Sequence, residues 1–400
     1  MNYRIFFSLL ALIFICNCKY AGAESLDETA LLILKNSQDF QSENLALQST
    51  LGSLKTQSNL PDPEVSGEYL IAAAEDESNR WGAELTWGLE WPGVYGARGK
   101  EAKLKMTVAK KRLYTQRVER LAEIKDLLLD FIQCRKKLVL LDRLSQNNDT
   151  IFQLAEQAAK GGEMTVLDLH KVKLEYANIR VVKAAVLDEE AEVKGSLSNI
   201  LGRDCTEILN DMECEFPEIS LPSIEELELI KTLSPEVNTA LAEAESIRAS
   251  RSVAKMESLP SVSFGYKHAF EDGIHFNGAL LGISLPLFSS RGRQKAVKAE
   301  ILEAEYKTEM AKNQVETETM QISRQLKLLD SQIREISPLV ENADYNAALL
   351  KAYKGGVITL IEYITDRNYF TNAEMELLNL RLAAAKTQTK LQKYLIPVSF

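Results

Sequence analysis

The chain repeats itself. Leu85–Pro92, followed by Arg98-Gly99, returns as Ala279–Pro286, followed by Arg291-Gly292. Lys160-Gly161-Gly162 returns as Lys354-Gly355-Gly356. The proline pair and the Lys-Gly-Gly pair share one offset of 194 residues, and the Arg-Gly pair differs from it by one. Register kept over such a distance means two copies of one structural unit. Each copy reads as short helix, two strands, very long helix, Gly-Gly turn and long helix, so this order has to explain the whole chain.

The N-terminus reads as a targeting segment rather than as part of the fold. Arg4 forms a weak basic start, Ile5 to Cys16 an apolar run, and Ala21-Gly22-Ala23 a small-residue cleavage site. Neither Cys16 nor Cys18 follows a small residue, so a lipid anchor is the lesser expectation beside cleavage after Ala23. Losing Arg4 and Lys19 with the leader takes the net charge from −10 to −12, which speaks against a nucleic-acid partner. An exported chain meets an oxidising compartment, and Cys205 and Cys214 flank a short polar segment, so a disulfide between them is expected. Cys134 lies in a helical pattern as a small apolar residue.

The organisation that follows is a leader over 1–23, a first repeat over 24–203, a linker over 204–223 and a second repeat over 224–400. An opening helix from Asp27 to roughly Asn59 is halted by Pro61 and Pro63. Strands are expected at about 64–74 and 81–92, and again at about 261–270 and 276–288. Long helices are expected at about 97–160 and 165–203, then at about 291–354 and 359–395. The 97–160 rod spans about 95 Å at 1.5 Å per residue, beyond ordinary globular helices and in the range of coiled coils. Pro338 marks a kink or break in the second rod. The Gly-Gly pairs end the rods, because glycine tolerates the left-handed backbone of a tight reversal.

The strands are amphipathic with period two. Trp81, Leu85, Trp87, Leu89 and Trp91 share one face in the first copy, alternating with Gly82, Glu84, Thr86, Gly88 and Glu90. In the second copy Phe264 and Tyr266, and Leu281, Ile283 and Leu285, form the corresponding apolar sets. A soluble sandwich core would use such faces too, but it needs a second sheet, and the chain has only four strand-like runs. A lipid-facing barrel wall fits the aromatic, ten-residue strands better. Unpaired backbone edges in lipid cost several kcal/mol per group, and the smallest such barrels need about eight strands. Four strands therefore require sister chains to complete the wall, and both hairpins then send their rods to one side of the membrane.

Two tandem units of this order, with Leu60-Pro61 and Leu259-Pro260 ahead of the strands, resemble the TolC-like outer-membrane efflux proteins. The turns Gly162…Thr165…Asp168 and Gly356…Thr359…Glu362 resemble that family as well. The Trp91-Pro92-Gly93…Arg98 stretch is similar to its metal-efflux branch. The resemblance implies a mainly α fold with a small β part: a homotrimer whose 12-stranded outer-membrane β-barrel continues into a long periplasmic α-helical barrel. It implies an exit duct for small toxic solutes such as drugs or metal ions, working with a periplasmic adaptor (membrane fusion) protein and an inner-membrane efflux pump. It places Gly161, Gly162, Thr165, Gly355, Gly356 and Thr359 at an adaptor-docking tip, and Asp168 and Glu362 at the aperture. The plainer reading of these acids is helix N-terminal residues favoured by the macrodipole, and Lys171 stands one turn from Asp168. Alternatives are a type I protein or peptide secretion component and a periplasmic coiled-coil adaptor.

No catalytic constellation is visible. Ser-His-Asp order, phosphate loop and dinucleotide fingerprint are missing from the sequence, so neither enzyme activity nor a cofactor is expected. The histidines, His170, His268 and His275, include no i, i+4 helical pair and no partner near a cysteine pair, so no metal site is expected. His268 and His275 flank the second hairpin turn and could meet in space, but the ordinary reading is two polar residues at an exposed loop.

Overall fold

The computed structural model describes residues 25–73, 78–162, 164–286, 288, 292–341 and 344–393, with the main chain alone at 146–150, 344 and 346. The leader at 1–23, Leu287, Arg291 and the chain beyond 393 lie outside the described residues. In order come α1 Leu26–Asn36, α2 Gln38–Thr56, β1 Glu64–Leu70, β2 Arg80–Leu89, α3 Pro92–Lys160, α4 Val166–Leu201 and α5 Thr206–Asn210. They are followed by α6 Ile224–Leu233, α7 Pro235–Met256, β3 Ser261–Glu271, β4 Ile274–Ser284, α8 Arg293–Val340, α9 Asp344–Lys354 and α10 Leu360–Gln392. The protein is mainly helical with one small sheet.

Local sequence explains where elements start and stop. Ser25 and Glu28 form a reciprocal capping box at α1, and Ser223 and Glu226 do the same at α6. The opening helix is interrupted: Ser37 is extended, and its hydroxyl donates to the Leu34 carbonyl at 2.8 Å, competing with the helix. Pro92 is the first residue of α3, where its missing N–H costs no hydrogen bond, so β2 closes at Leu89 rather than running on to 92. Trp91 therefore lies off the strand, and Leu285 likewise follows the end of β4 at Ser284. Pro338 lies in the last turn of α8, which ends at Val340, and α9 begins separately at Asp344. The inter-repeat linker contains one short helix, α5.

The expected disulfide is absent. Cys205 and Cys214 are free thiols. Cys205 is buried against the end of α4, where its sulfur accepts from the Ser198 hydroxyl at 3.2 Å and its thiol donates to the Lys194 carbonyl at 3.5 Å. Cys214 is turned instead toward the Met212 carbonyl at 3.9 Å. Polar partners on α4 hold Cys205, which spacing along the sequence could not reveal.

The chain divides into two compact units, residues 1–37, 124–217 and 342–382 in one, and 38–123, 218–341 and 383–400 in the other. The first unit packs Ile124, Leu128, Phe131 and Ile132 of α3 and Val193 and Leu197 of α4 into its interior, with Ile33 of α1 also fully buried. The second holds the sheet and the packed pair α7 and α8, with Val253, Ala254, Val297 and Ala304 buried. Among the described residues no helix is long and apolar enough to cross a membrane.

Candidate functional site: a two-faced sheet and a pair of helical turns

The sheet runs β1-β2-β3-β4, antiparallel throughout, and β2 pairs with β3 from Trp81↔Phe270 to Leu89↔Val262. That central pairing joins a strand of each repeat into one wall, with Leu85↔Tyr266 spanning 181 positions and Ala83↔His268 spanning 185.

 Among the described residues β1 and β4 have no second strand partner, so both edges of the sheet are open.

Register fixes two unlike faces. One carries Tyr69, Trp81, Leu85, Trp87, Leu89, Val262, Phe264, Tyr266, Leu281 and Ile283. Its side chains pair across strands: Trp81 stacks on Phe270 with centroids 6.0 Å apart, and Trp87 meets Phe264 edge-on at 5.6 Å. Most of these are exposed, Leu281 to 85%, while Trp87 and Leu89 are half-buried. The Trp87 indole donates to the Pro61 carbonyl at 2.7 Å, which ties the strand to the segment ahead of β1. Trp91 and Leu285, beyond the strand ends, are exposed as well.

The opposite face is polar. The Lys267 ammonium lies 3.0 Å from a Glu68 carboxylate oxygen and 3.8 Å from one of Glu84, and Arg80 lies 3.7 Å from Glu271. Gly265 belongs to this face, and a Cβ there would come within 2.6 Å of the Leu85 carbonyl oxygen, so the close approach of β2 and β3 requires glycine.

Where the strands meet the helices, one carboxylate gathers two guanidinium groups. Arg98 donates to Glu257 at 2.6 Å and to Glu90 at 3.0 Å, and Arg293 forms an ion pair with the second oxygen of Glu257. The Glu257 side chain is only 11% exposed. Sequence reasoning noticed Arg98 and Arg291 but missed Glu257 and Arg293. The available signal was Glu257 standing just ahead of the repeated Leu-Pro pair.

In the other unit the two Gly-Gly turns are built alike. Gly162 and Gly356 have φ of +78° and +69°, the left-handed region that only glycine enters without strain. The N–H groups of Gly161 and Gly355 donate to Gln157 and Lys351 carbonyls, each at 2.9 Å, closing the preceding helices. The turns are tied together by one apolar cluster: Ile151 and Ala155 from α3, Val172 from α4, Leu349 from α9, and Leu360, Tyr363 and Ile364 from α10. Val166, Leu167 and Val357 next to the turns remain exposed, at 72%, 68% and 78%.

Asp168 and Glu362 bend back onto their own helix starts. The Thr165 hydroxyl accepts from the Asp168 N–H at 3.1 Å and donates to its carboxylate at 2.7 Å. Lys171 adds a bond at 3.0 Å. The Thr165 hydroxyl, and then Lys171, hold the Asp168 carboxyl below its ordinary pKa. Glu362 accepts from the Thr359 N–H at 2.8 Å and from its hydroxyl at 3.0 Å, and those bonds, the backbone one first, lower its pKa too. Both acids are thus anions in the first turns of α4 and α10, just after the capping threonines.

Arg367 on α10 escaped sequence reasoning altogether. It is 4% exposed, and its Nε and Nη1 atoms have no hydrogen-bond partner. Burial pushes its pKa down. Nothing in an alternating or helical pattern announces an arginine turned inward. Among the described residues no group of three or more His, Cys, Asp or Glu side chains is placed to hold a metal ion.

No family model matches the sequence, and no curated protein matches it. Solved structures do match. A membrane protein of Pseudomonas aeruginosa aligns over 92% of this chain and 90% of its own, with a TM-score of 0.73 and 16% identity. The Campylobacter jejuni CmeC outer membrane channel aligns over 92% and 85%, with a TM-score of 0.72 and 16% identity. The Vibrio cholerae outer membrane protein VceC aligns over 92% and 95%, with a TM-score of 0.68 and 15% identity. The chain shares the fold of these TolC-like outer-membrane channels.

Proposed function

We propose that the protein is the outer-membrane exit duct of an efflux system in a Gram-negative bacterium. The observation that carries this reading is the sheet: four strands, two open edges, one apolar aromatic face and one charged face. Open edges in lipid cost several kcal/mol per unpaired group, so the wall closes when sister chains add their strands. Three chains supply twelve strands, with Trp81, Leu85, Phe264, Tyr266, Leu281 and Ile283 toward lipid and Lys267, Glu68 and Glu84 toward water. Trp87, Leu89, Trp91 and Leu285 line the inner rim of the same apolar band.

The duct is passive. A pump in the inner membrane supplies the energy, and a periplasmic adaptor docks on the Gly161-Gly162 and Gly355-Gly356 turns, where Val166, Leu167 and Val357 offer bare apolar contact. The cargo is a small toxic solute, a drug or a metal ion. Asp168 and Glu362, ringed by symmetry, give the periplasmic mouth a negative field that favours cations. Reconstitution in planar bilayers tests the reading: stable, cation-selective single-channel conductance supports it, and the absence of conductance from the purified oligomer defeats it. Glu362→Ala reduces the cation preference if the acid lines the mouth, and unchanged selectivity removes it from that role.

A further inference from the structure

The two histidines that flank the β3–β4 turn meet on the apolar face of the sheet. His268 pairs with Asn277 and Phe270 with His275, which makes His268 and His275 diagonal neighbours across the hairpin. His275 Nδ1 lies 3.4 Å from His268 Nε2, and the rings stack with centroids 5.3 Å apart. The other nitrogen of His268, Nδ1, lies 2.8 Å from Asn277 Oδ1. A carbonyl oxygen only accepts, so His268 Nδ1 carries the proton and Nε2 presents a lone pair to His275. Trp81, at 5.4 Å from His268, and Phe270, at 4.8 Å from His275, wall the pair with aromatic rings.

We propose that His268 Nε2 and His275 Nδ1 form a two-histidine site for a borderline transition-metal cation such as Cu(II) or Zn(II), at the turn end of the sheet and outside any conducting path. Metal–imidazole bonds of about 2.0–2.1 Å place two nitrogens 3.4 Å apart at an angle of about 110° at the ion, the tetrahedral value. Imidazole nitrogen suits these ions, and water fills the remaining positions. Binding needs no redox step. His275 shifts its proton to Nε2, freeing Nδ1, and the His268–Asn277 bond holds the first ring in the ligating orientation. The pair is invisible to a search for i, i+4 helical spacing, because the turn and the strand register bring it together.

The test uses untagged full-length protein in detergent, titrated with Cu(II) and followed by electron paramagnetic resonance. The expected result is saturation at one ion per chain, with superhyperfine coupling to two imidazole nitrogens. H268Q and H275Q each abolish the two-nitrogen signal, H170Q leaves it intact, and Asn277→Ala weakens affinity by about tenfold through loss of ring positioning. Each variant is checked for the parent's oligomeric state, which excludes misfolding as the cause. Coupling to fewer than two nitrogens in the parent protein, or two-nitrogen binding that survives H268Q or H275Q, overturns the proposal.

Discussion

Thr165 and Thr359 show how much a single hydroxyl sets at the turns. Each caps a helix and lowers the pKa of the acid three residues on, but the leading causes differ: the Thr165 hydroxyl for Asp168, the Thr359 backbone N–H for Glu362. Because both carboxyls are depressed in the fold, their stabilisation is present above the ordinary carboxylate range and is lost as pH falls through the depressed value. Thr165→Val therefore moves the Asp168 titration upward, whereas Thr359→Val moves that of Glu362 less; carboxyl titration by NMR checks both. Arg367 is the opposite case, a buried charge left partly unpaired. Arg367→Met is expected to stabilise the protein by about 1 kcal/mol or more in thermal unfolding, since it removes an uncompensated desolvation cost. A loss of stability would mean that the guanidinium is better partnered than its geometry indicates. The free thiols make a third residue-scale prediction: denatured without reductant, the chain exposes Cys134, Cys205 and Cys214 to alkylation, and a chain that yields Cys134 alone contains the bridge after all.

At the scale of elements, period two was readable and partner choice was not. Alternation from Trp81 to Leu89 identified β2 and its faces, but the strand's end depended on Pro92 opening α3, a local competition that alternation ignores. The β2–β3 pairing between the copies likewise emerges only in three dimensions. Leu280 and Leu281 are adjacent in β4 yet lie on opposite faces, which gives a clean comparison. Leu281→Arg should block membrane assembly at a cost of about 2–4 kcal/mol on the lipid side, whereas Leu280→Arg on the wet side should assemble. Equal behaviour of the two in membrane fractions would contradict the assigned facing. The Arg98–Glu257–Arg293 junction ties α3, the end of α7 and α8. Glu257→Gln leaves two partly exposed guanidinium groups with weakened partners, and a loss of about 1 kcal/mol in chemical unfolding is expected.

For the whole molecule, the duplication made the mainly helical architecture and its small sheet legible, because glycine and proline mark the same joints twice. The first-turn acids could be named from sequence, but their bend back onto the capping threonines depends on rotamers that no spacing encodes. Arg367 was hidden for a related reason, since its burial depends on what other elements place around it, whereas His268 and His275 could be placed at one turn from sequence but their ring geometry could not. The central claim is that one chain holds too few strands to close a wall and that sister chains complete it. Native mass spectrometry of the protein extracted from membranes tests this most directly. Three chains held together in detergent is the predicted result; a single chain, soluble and folded without detergent, would contradict it.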